Sequence, residues 1–163
     1  MSHRLAAFYV AVAGLFVSDR LLKLWFLNNP NAHWDFIVGW LGFSLTKNSG
    51  IAFGIPLSSP TVEVVIVTAV LFLVHAWLRA RQIRQTLLRF GLSLMIVGAV
   101  SNLVDRLRYG AVIDYIDVPF FTVFNLADVM ISGGVGLLII DALRHKRQAD
   151  DLADTGQMSK PTL

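Results

Sequence analysis

The chain has 163 residues, of which 55% are hydrophobic and 15% charged, with mean hydropathy +0.62. A water-soluble domain of this length carries about 25% charge, so the composition points to a membrane protein. There is no cysteine, which excludes disulfides, thiolate metal sites and a cysteine nucleophile. The net charge of +3 is a weak pointer to nucleic acid, and the placement of the charges argues against it.

Four segments are long and apolar enough to span: Leu5 to Leu27, Thr61 to Leu78, Leu87 to Val104 and Thr122 to Leu143. At about 1.5 Å per residue they reach about 27 to 35 Å, matching a hydrocarbon core of about 30 Å. The start, MSHRLAAFYVAVAGLFV, has some features of a cleavable signal peptide. Apolar sequence resumes after Lys23, however, and no small-residue cleavage pattern closes the core, so the segment is expected to remain as the first span.

Arg4 precedes that span, Arg79, Arg81, Arg84 and Arg89 surround the second connection, and Arg144, Lys146 and Arg147 follow the fourth. The 28–60 loop holds one lysine and no arginine. The positive-inside rule therefore predicts cytoplasmic termini and two outer loops. In the first of these loops, HWDFIVGWLGFSLTKN partly alternates bulky residues, and 109–124 is rich in β-branched and aromatic ones. Both predict interfacial strands roofing the outer ends of the helices. NSGIAFG, Asn48 to Gly54, offers a tight turn able to hold an extended peptide. The fold class expected is an all-α membrane protein of four transmembrane helices with a small β-rich region on the periplasmic side. Residues 1–147 form one polytopic domain, and the polar stretch 148–163 is expected to be a disordered cytoplasmic tail.

An ionisable group inside a span costs roughly 2.5 to 3.5 kcal/mol on insertion scales, so each one demands a reason. With the topology above, Asp19 lies in the outer third of the first span and Asn102 near the outer end of the third. Asp128 falls about 9 Å below the outer end of the fourth. Gly98, Asn102 and Arg106 recur at i, i+4, i+8, as do Asn125, Asp128, Ser132 and Gly136 at comparable spacing. Ser132, Gly133, Gly136 and Gly98 are expected to be helix-packing residues, but a packing seam needs no carboxylate. Asp19 and Lys23 stand at i, i+4 in the favourable order for an ion pair. Arg20 and Lys23 are also long enough to snorkel toward headgroups. Asp105 and Arg106 are candidates for a local pair or for fixing the loop that carries Asp114.

Asp128, together with an acid of VIDYIDV (Asp114 or Asp117), can share one proton and activate water for peptide hydrolysis. Asn102, Asn125 and Arg106 are placed to orient such acids or to stabilise an oxyanion. Histidines 3, 33, 75 and 145 lack ligand spacing, so no metal site is expected, and no serine–lysine or serine–histidine pair competes. Cation or proton transport and a non-catalytic assembly partner stay open as alternatives at this point.

SDRLLK (Ser18 to Lys23), KNSGIAFG (Lys47 to Gly54), GAVSNLVDR (Gly98 to Arg106), VIDYID (Val112 to Asp117) and FNLADV (Phe124 to Val129) resemble, in order and spacing, the blocks of bacterial lipoprotein signal peptidase. The resemblance covers about residues 5 to 145. It implies an intramembrane aspartyl endopeptidase, without cofactor or metal, in the bacterial cytoplasmic (inner) membrane. Its substrate is a prolipoprotein bearing a diacylglyceryl-cysteine, cut on the N-terminal side of that cysteine. Phospholipids surround it, no nucleic acid is involved, and it acts as a monomer with its site near the periplasmic face. The implied dyad is Asp114 and Asp128, which selects Asp114 over Asp117. Asn48, Gly50, Asn102, Arg106 and Asn125 match the polar residues around that site, and Asp19 and Lys23 match the first-span block. Arg20 stands where the family usually has glutamine, and Ser101 where it usually has glycine.

Overall fold

The computed structural model describes residues 3–50, 59–83 and 85–158. In chain order these form α1 (His3–Asn28), β1 (His33–Ile37), β2 (Leu41–Asn48), α2 (Ser59–Gln82), α3 (Thr86–Tyr109), β3 (Val112–Val118), β4 (Thr122–Phe124) and α4 (Leu126–Met158). Each helix contains a stretch long and apolar enough to cross a bilayer: Leu5–Asn28, Thr61–Gln82, Thr86–Tyr109 and Leu126–Gln148. Leu21, Val64, Leu71, Phe72, Ile139 and Leu143 are exposed on them, as a lipid-facing surface requires.

The helices approach through glycine. A Cβ on Gly98 would lie 2.5 Å from the Ala127 carbonyl oxygen, and one on Gly134 2.6 Å from the Gly91 carbonyl oxygen. Contacts this close bring the α3 and α4 backbones together, which membrane helices exploit for dispersion attraction. The expected seam is thus corrected in part. Gly133 and Gly136 have open space at the Cβ position, and Gly91 and Gly134 serve in their place.

The strands form one antiparallel sheet in the order β1-β2-β3-β4. Gly39, at φ 75°, turns β1 into β2, and Gly110, at φ 70°, ends α3 and starts β3. Its N–H closes on the Arg106 carbonyl at 2.9 Å, so the chain enters β3 directly over the end of α3. An aromatic cluster docks the sheet on α1. Phe26 stacks on Tyr115 (ring centroids 5.4 Å apart) and on Trp34 (5.6 Å), with Phe43 behind Trp34. Phe36, Val38, Trp40, Phe120 and Phe121 remain exposed along the sheet's rim.

Two boundaries differ from the sequence expectation. The fourth helix begins at Leu126, because Thr122–Phe124 pairs with β3 as a strand instead of starting the span. Asp128 therefore occupies the first turn of α4 and lies less deep than expected. At the other end, the polar stretch from 148 onward is helical as far as Met158. Ala149, Leu152 and Ala153 favour helix, and Arg147 and Asp151 stand at i, i+4. Residues 159–163 and Ile51 to Gly54 of the expected tight turn lie outside the described residues.

Candidate active site

β3 delivers the first acid. Successive strand residues point to opposite faces, so Asp114 cannot share a face with Ile113 and Tyr115, which are fully buried beside α1. Asp114 instead lines a cavity of about 730 Å³ with Asn48, Asn102, Arg106 and Asp128. Asp117 is three residues on and faces the other way, where its Oδ2 accepts from Ser44 Oγ at 3.3 Å. The strand pleat itself thus separates Asp114 from Asp117.

α4 delivers the second acid through its N-terminal cap. Asn125 Oδ1 accepts from the Asp128 N–H at 3.0 Å, and Asp128 Oδ2 accepts from the Asn125 N–H at 3.2 Å. This reciprocal pair is a capping box built from asparagine and aspartate. The remaining donors of the first turn are also met. The Leu126 N–H reaches the Tyr115 hydroxyl (3.1 Å), and the Ala127 N–H reaches Asp19 Oδ1 (3.2 Å). No helix end buried in apolar surroundings can leave those donors bare. The second acid is held in place by the same bonds that start the helix.

Asn125 also joins the two acids, donating from Nδ2 to Asp114 Oδ1 at 2.6 Å. Asn48 Nδ2 donates to Asp114 Oδ2 (3.2 Å), and Asn102 Nδ2 donates to Asp128 Oδ1 (2.8 Å). Each of the four carboxylate oxygens therefore accepts one N–H, which fixes both planes and leaves lone pairs for water or substrate. Burial, and then the charge of Asp128, push the Asp114 carboxyl up to about 6, against the opposing pull of the Asn48 and Asn125 hydrogen bonds and the Lys23 charge.

Asn48 Oδ1 accepts from the Gly50 N–H at 3.1 Å, forming a tight turn. Arg106 Nη2 donates to the Gly50 carbonyl at 2.6 Å, so this arginine anchors the turn that carries Asn48. Of the two expectations for Asp105 and Arg106, the local pair does not form, while Asp105 does fix the segment that carries Asp114. Asp105 instead meets Arg20 and Lys23 of α1, and its Oδ2 accepts from the Ile113 N–H at 3.3 Å. Lys23 does not snorkel. Its side chain is buried, with Nζ 3.0 Å from Asp19, 2.8 Å from Asp105 and 2.8 Å from Asn102 Oδ1.

All the residues expected at the site converge, but Tyr115, Ser101 and Asp105 were not expected to join them. The Tyr115 hydroxyl donates to Asp19 Oδ1 at 3.1 Å while accepting from Leu126. Burial, followed by the Asp19 charge, pushes its phenol upward, so it remains a donor. Its one sequence signal was the alternation of VIDYIDV, which puts it opposite Asp114.

A second, more polar cleft of about 490 Å³, lined by Thr46, Lys47, Ser49 and Gly50, shares Asn48 and Asp114 with the first. The first has apolar walls from Ile66, Phe124, Val129 and Ile131. Paired acids thus stand where an apolar cavity opens onto a polar one.

The model of signal peptidase (SPase) II matches residues 11–144, most of the chain. The chain belongs to the signal peptidase II family. Lipoprotein signal peptidases of Clostridium tetani (33% identical, covering 86% of this chain and 94% of that one) and of a Synechococcus (37%, covering 84% and 94%) are among its relatives. A bacterial membrane enzyme solved by the in meso method at 2.3 Å shares the fold, with TM-score 0.77 and 23% identity over 97% of this chain and 94% of that one. Membership of the signal peptidase II family makes the protein a multi-pass membrane hydrolase of the aspartic type, processing prolipoprotein signal peptides. Arg20 and Ser101 are in contact in this structure, with Arg20 Nη1 3.2 Å from the Ser101 carbonyl oxygen.

Proposed function

We propose that Asp114 and Asp128 are the catalytic dyad that cleaves diacylglyceryl-modified prolipoproteins on the N-terminal side of the lipidated cysteine. The observation that carries this reading is that one residue, Asn125, holds both acids in a single cavity of a signal peptidase II chain. Asp128, at the positive end of α4 with two N–H donors on its oxygens, is the general base that takes a proton from water. Asp114 is the acid. It protonates the scissile carbonyl oxygen as water attacks. The gem-diol then collapses with cleavage of the C–N bond, Asp128 giving its proton to the departing amine while Asp114 takes one back from a gem-diol hydroxyl. Close carboxyls favour one shared proton, which is the state this division of labour needs. Asn48, Asn102 and Asn125 orient the acids, Arg106 and Gly50 fix the turn beside them, and Asp19 and Lys23 support Asn102 and the start of α4.

The apolar cavity takes the lipid-proximal part of the substrate, and the polar cleft takes the extended peptide passing Asp114. In this reading residues 1–147 act as one peptidase domain, as a monomer among phospholipids of the cytoplasmic membrane. Both termini and the arginine-bearing α2–α3 hairpin lie in the cytoplasm, and the sheet and dyad lie near the periplasmic face. The support is the basic hairpin at one end of the helices and the aromatic rim at the other.

The test uses purified protein in lipid with a diacylglyceryl-modified prolipoprotein, beside Asp114→Asn and Asp128→Asn. Asparagine keeps one acceptor oxygen, enough at position 128 for the α4 cap, and turns an NH2 toward the other donor, but it cannot exchange the proton. Each variant is expected to lose at least about a hundredfold in kcat. Normal cleavage by either would refute the dyad, and equal cleavage of an unlipidated precursor would refute the substrate assignment.

A further inference from the structure

Asp19, Arg20 and Lys23 project from α1 toward Ser101, Asn102 and Asp105 of α3, with spacings of three and four residues aligning each set on one helix face. Asp19, Lys23, Ser101 and Asp105 are all 0% exposed. Lys23 has three donors and three acceptors around it: Asp19, Asp105 and Asn102 Oδ1. An ammonium donates only, so Lys23, the closer of two donors to Asn102 Oδ1 (Asn125 Nδ2 is the other, at 3.2 Å), helps set the amide one way round, oxygen toward Lys23 and Nδ2 toward Asp128. That single ammonium faces two buried carboxylates. Arg20 supplies the second cation. Its Nη1 donates to Asp105 Oδ1 and to the carbonyl and hydroxyl oxygens of Ser101, at 3.2 and 3.4 Å. The Ser101 hydroxyl in turn donates to Asp19 Oδ2 at 2.6 Å. Two anions and two cations then balance, and every oxygen of both carboxylates is engaged.

We propose that Arg20, acting with Ser101, is a positioning residue for the dyad: by neutralising Asp105 it leaves Lys23 on the Asn102 amide that orients Asp128. A lysine left alone between two buried carboxylates is drawn toward them and off a neutral amide oxygen, because charge–charge attraction in a low-dielectric interior exceeds charge–dipole attraction. Arg20 and Ser101 thus form one device, since the guanidinium and the hydroxyl bond to each other and to the two acids. The proposal rests on the reading of Asp114 and Asp128 as the dyad.

The test measures kcat and KM on the lipidated precursor for Arg20→Gln, Arg20→Lys, Ser101→Gly and the double variant Arg20→Gln/Ser101→Gly, with Asp114→Asn alongside. Arg20→Gln is expected to lower kcat about tenfold with KM within twofold. Arg20→Lys, which keeps the charge, recovers a large part of that loss. The double variant loses no more than Arg20→Gln alone, because both changes act through one cluster. Thermal unfolding in lipid shows whether each variant is folded at the assay temperature. If Arg20→Gln does not accumulate, Ser101→Gly carries the test, with a smaller fall in kcat at constant KM. Unchanged kcat in the folded variants, equal losses in Arg20→Gln and Arg20→Lys, or losses that multiply in the double variant would overturn the proposal. Cleavage by Asp114→Asn would instead overturn the dyad, so the two failures are distinguishable.

Discussion

At the residue scale, the four amide donors on the dyad oxygens define how the site answers to pH. In the proposed mechanism Asp114 is the acid of the pair, and its carboxyl is pushed up to about 6 by burial and by Asp128. kcat/KM, which reports the free enzyme, should therefore decline as pH rises above about 6, approaching tenfold per unit once the shared proton is lost. The sign for stability is the same. A folded value above the unfolded one means that the native state holds the extra proton, so the contribution of Asp114 is complete below about pH 4 and lost as pH rises through about 6. A pH–rate profile that stays flat from pH 5 to 9 would contradict the assignment of Asp114 as the acid. The two aspartates and the asparagines were legible in the sequence because a carboxylate or carboxamide within apolar surroundings has few neutral explanations. The partners of Asp105 were not, because whether it meets Arg106 or Arg20 depends on the rotation of α1 against α3, which no local pattern encodes. Tyr115 was hidden for a different reason. An aromatic in an interfacial strand has an ordinary role at the headgroup level, and only the docked fold turns its hydroxyl toward Asp19.

At the scale of elements, the start of α4 shows how tertiary pairing overrides hydropathy. Thr122–Phe124 is apolar enough to extend the span, yet its hydrogen bonds go to β3, and Asn125 takes the capping position. Hydropathy reports depth and not backbone pairing, so the sequence placed the helix start four residues early. The seam between α3 and α4 was legible in kind, through recurrent glycine, but not in register, since Gly134 and Gly136 differ by less than one turn. Gly98 sits closest to the dyad, against the Ala127 carbonyl one residue before Asp128. Gly98→Ala must push that turn away. It is expected to cost about 1 to 3 kcal/mol in stability and to lower kcat, as read by thermal unfolding and cleavage assays on the same preparation. Gly136→Ala, with open space at its Cβ position, should change neither and serves as the control. Equal behaviour of the two variants would remove Gly98 from the architecture of the site.

For the molecule as a whole, four spans and a basic connecting hairpin were readable from length and charge, and a β-rich region from alternation and β-branched or aromatic content. Their orientation is open to direct measurement because the chain has no cysteine of its own. Asn31→Cys, between α1 and β1, should react with an impermeant maleimide in intact cells, whereas Gln82→Cys at the α2–α3 hairpin should react only after permeabilisation. The reverse pattern would invert the topology. The first turn of α4 draws hydrogen bonds from α1 and β3, while the Asp128 side chain draws one from α3, so the turn has no complete set of partners until all of these have come together. A ribosome that has released α1 through β3 has therefore made Asp114 without its counterpart. The two acids come together only when synthesis reaches the fourth helix and that helix docks, so the site is assembled by the last of the four spans.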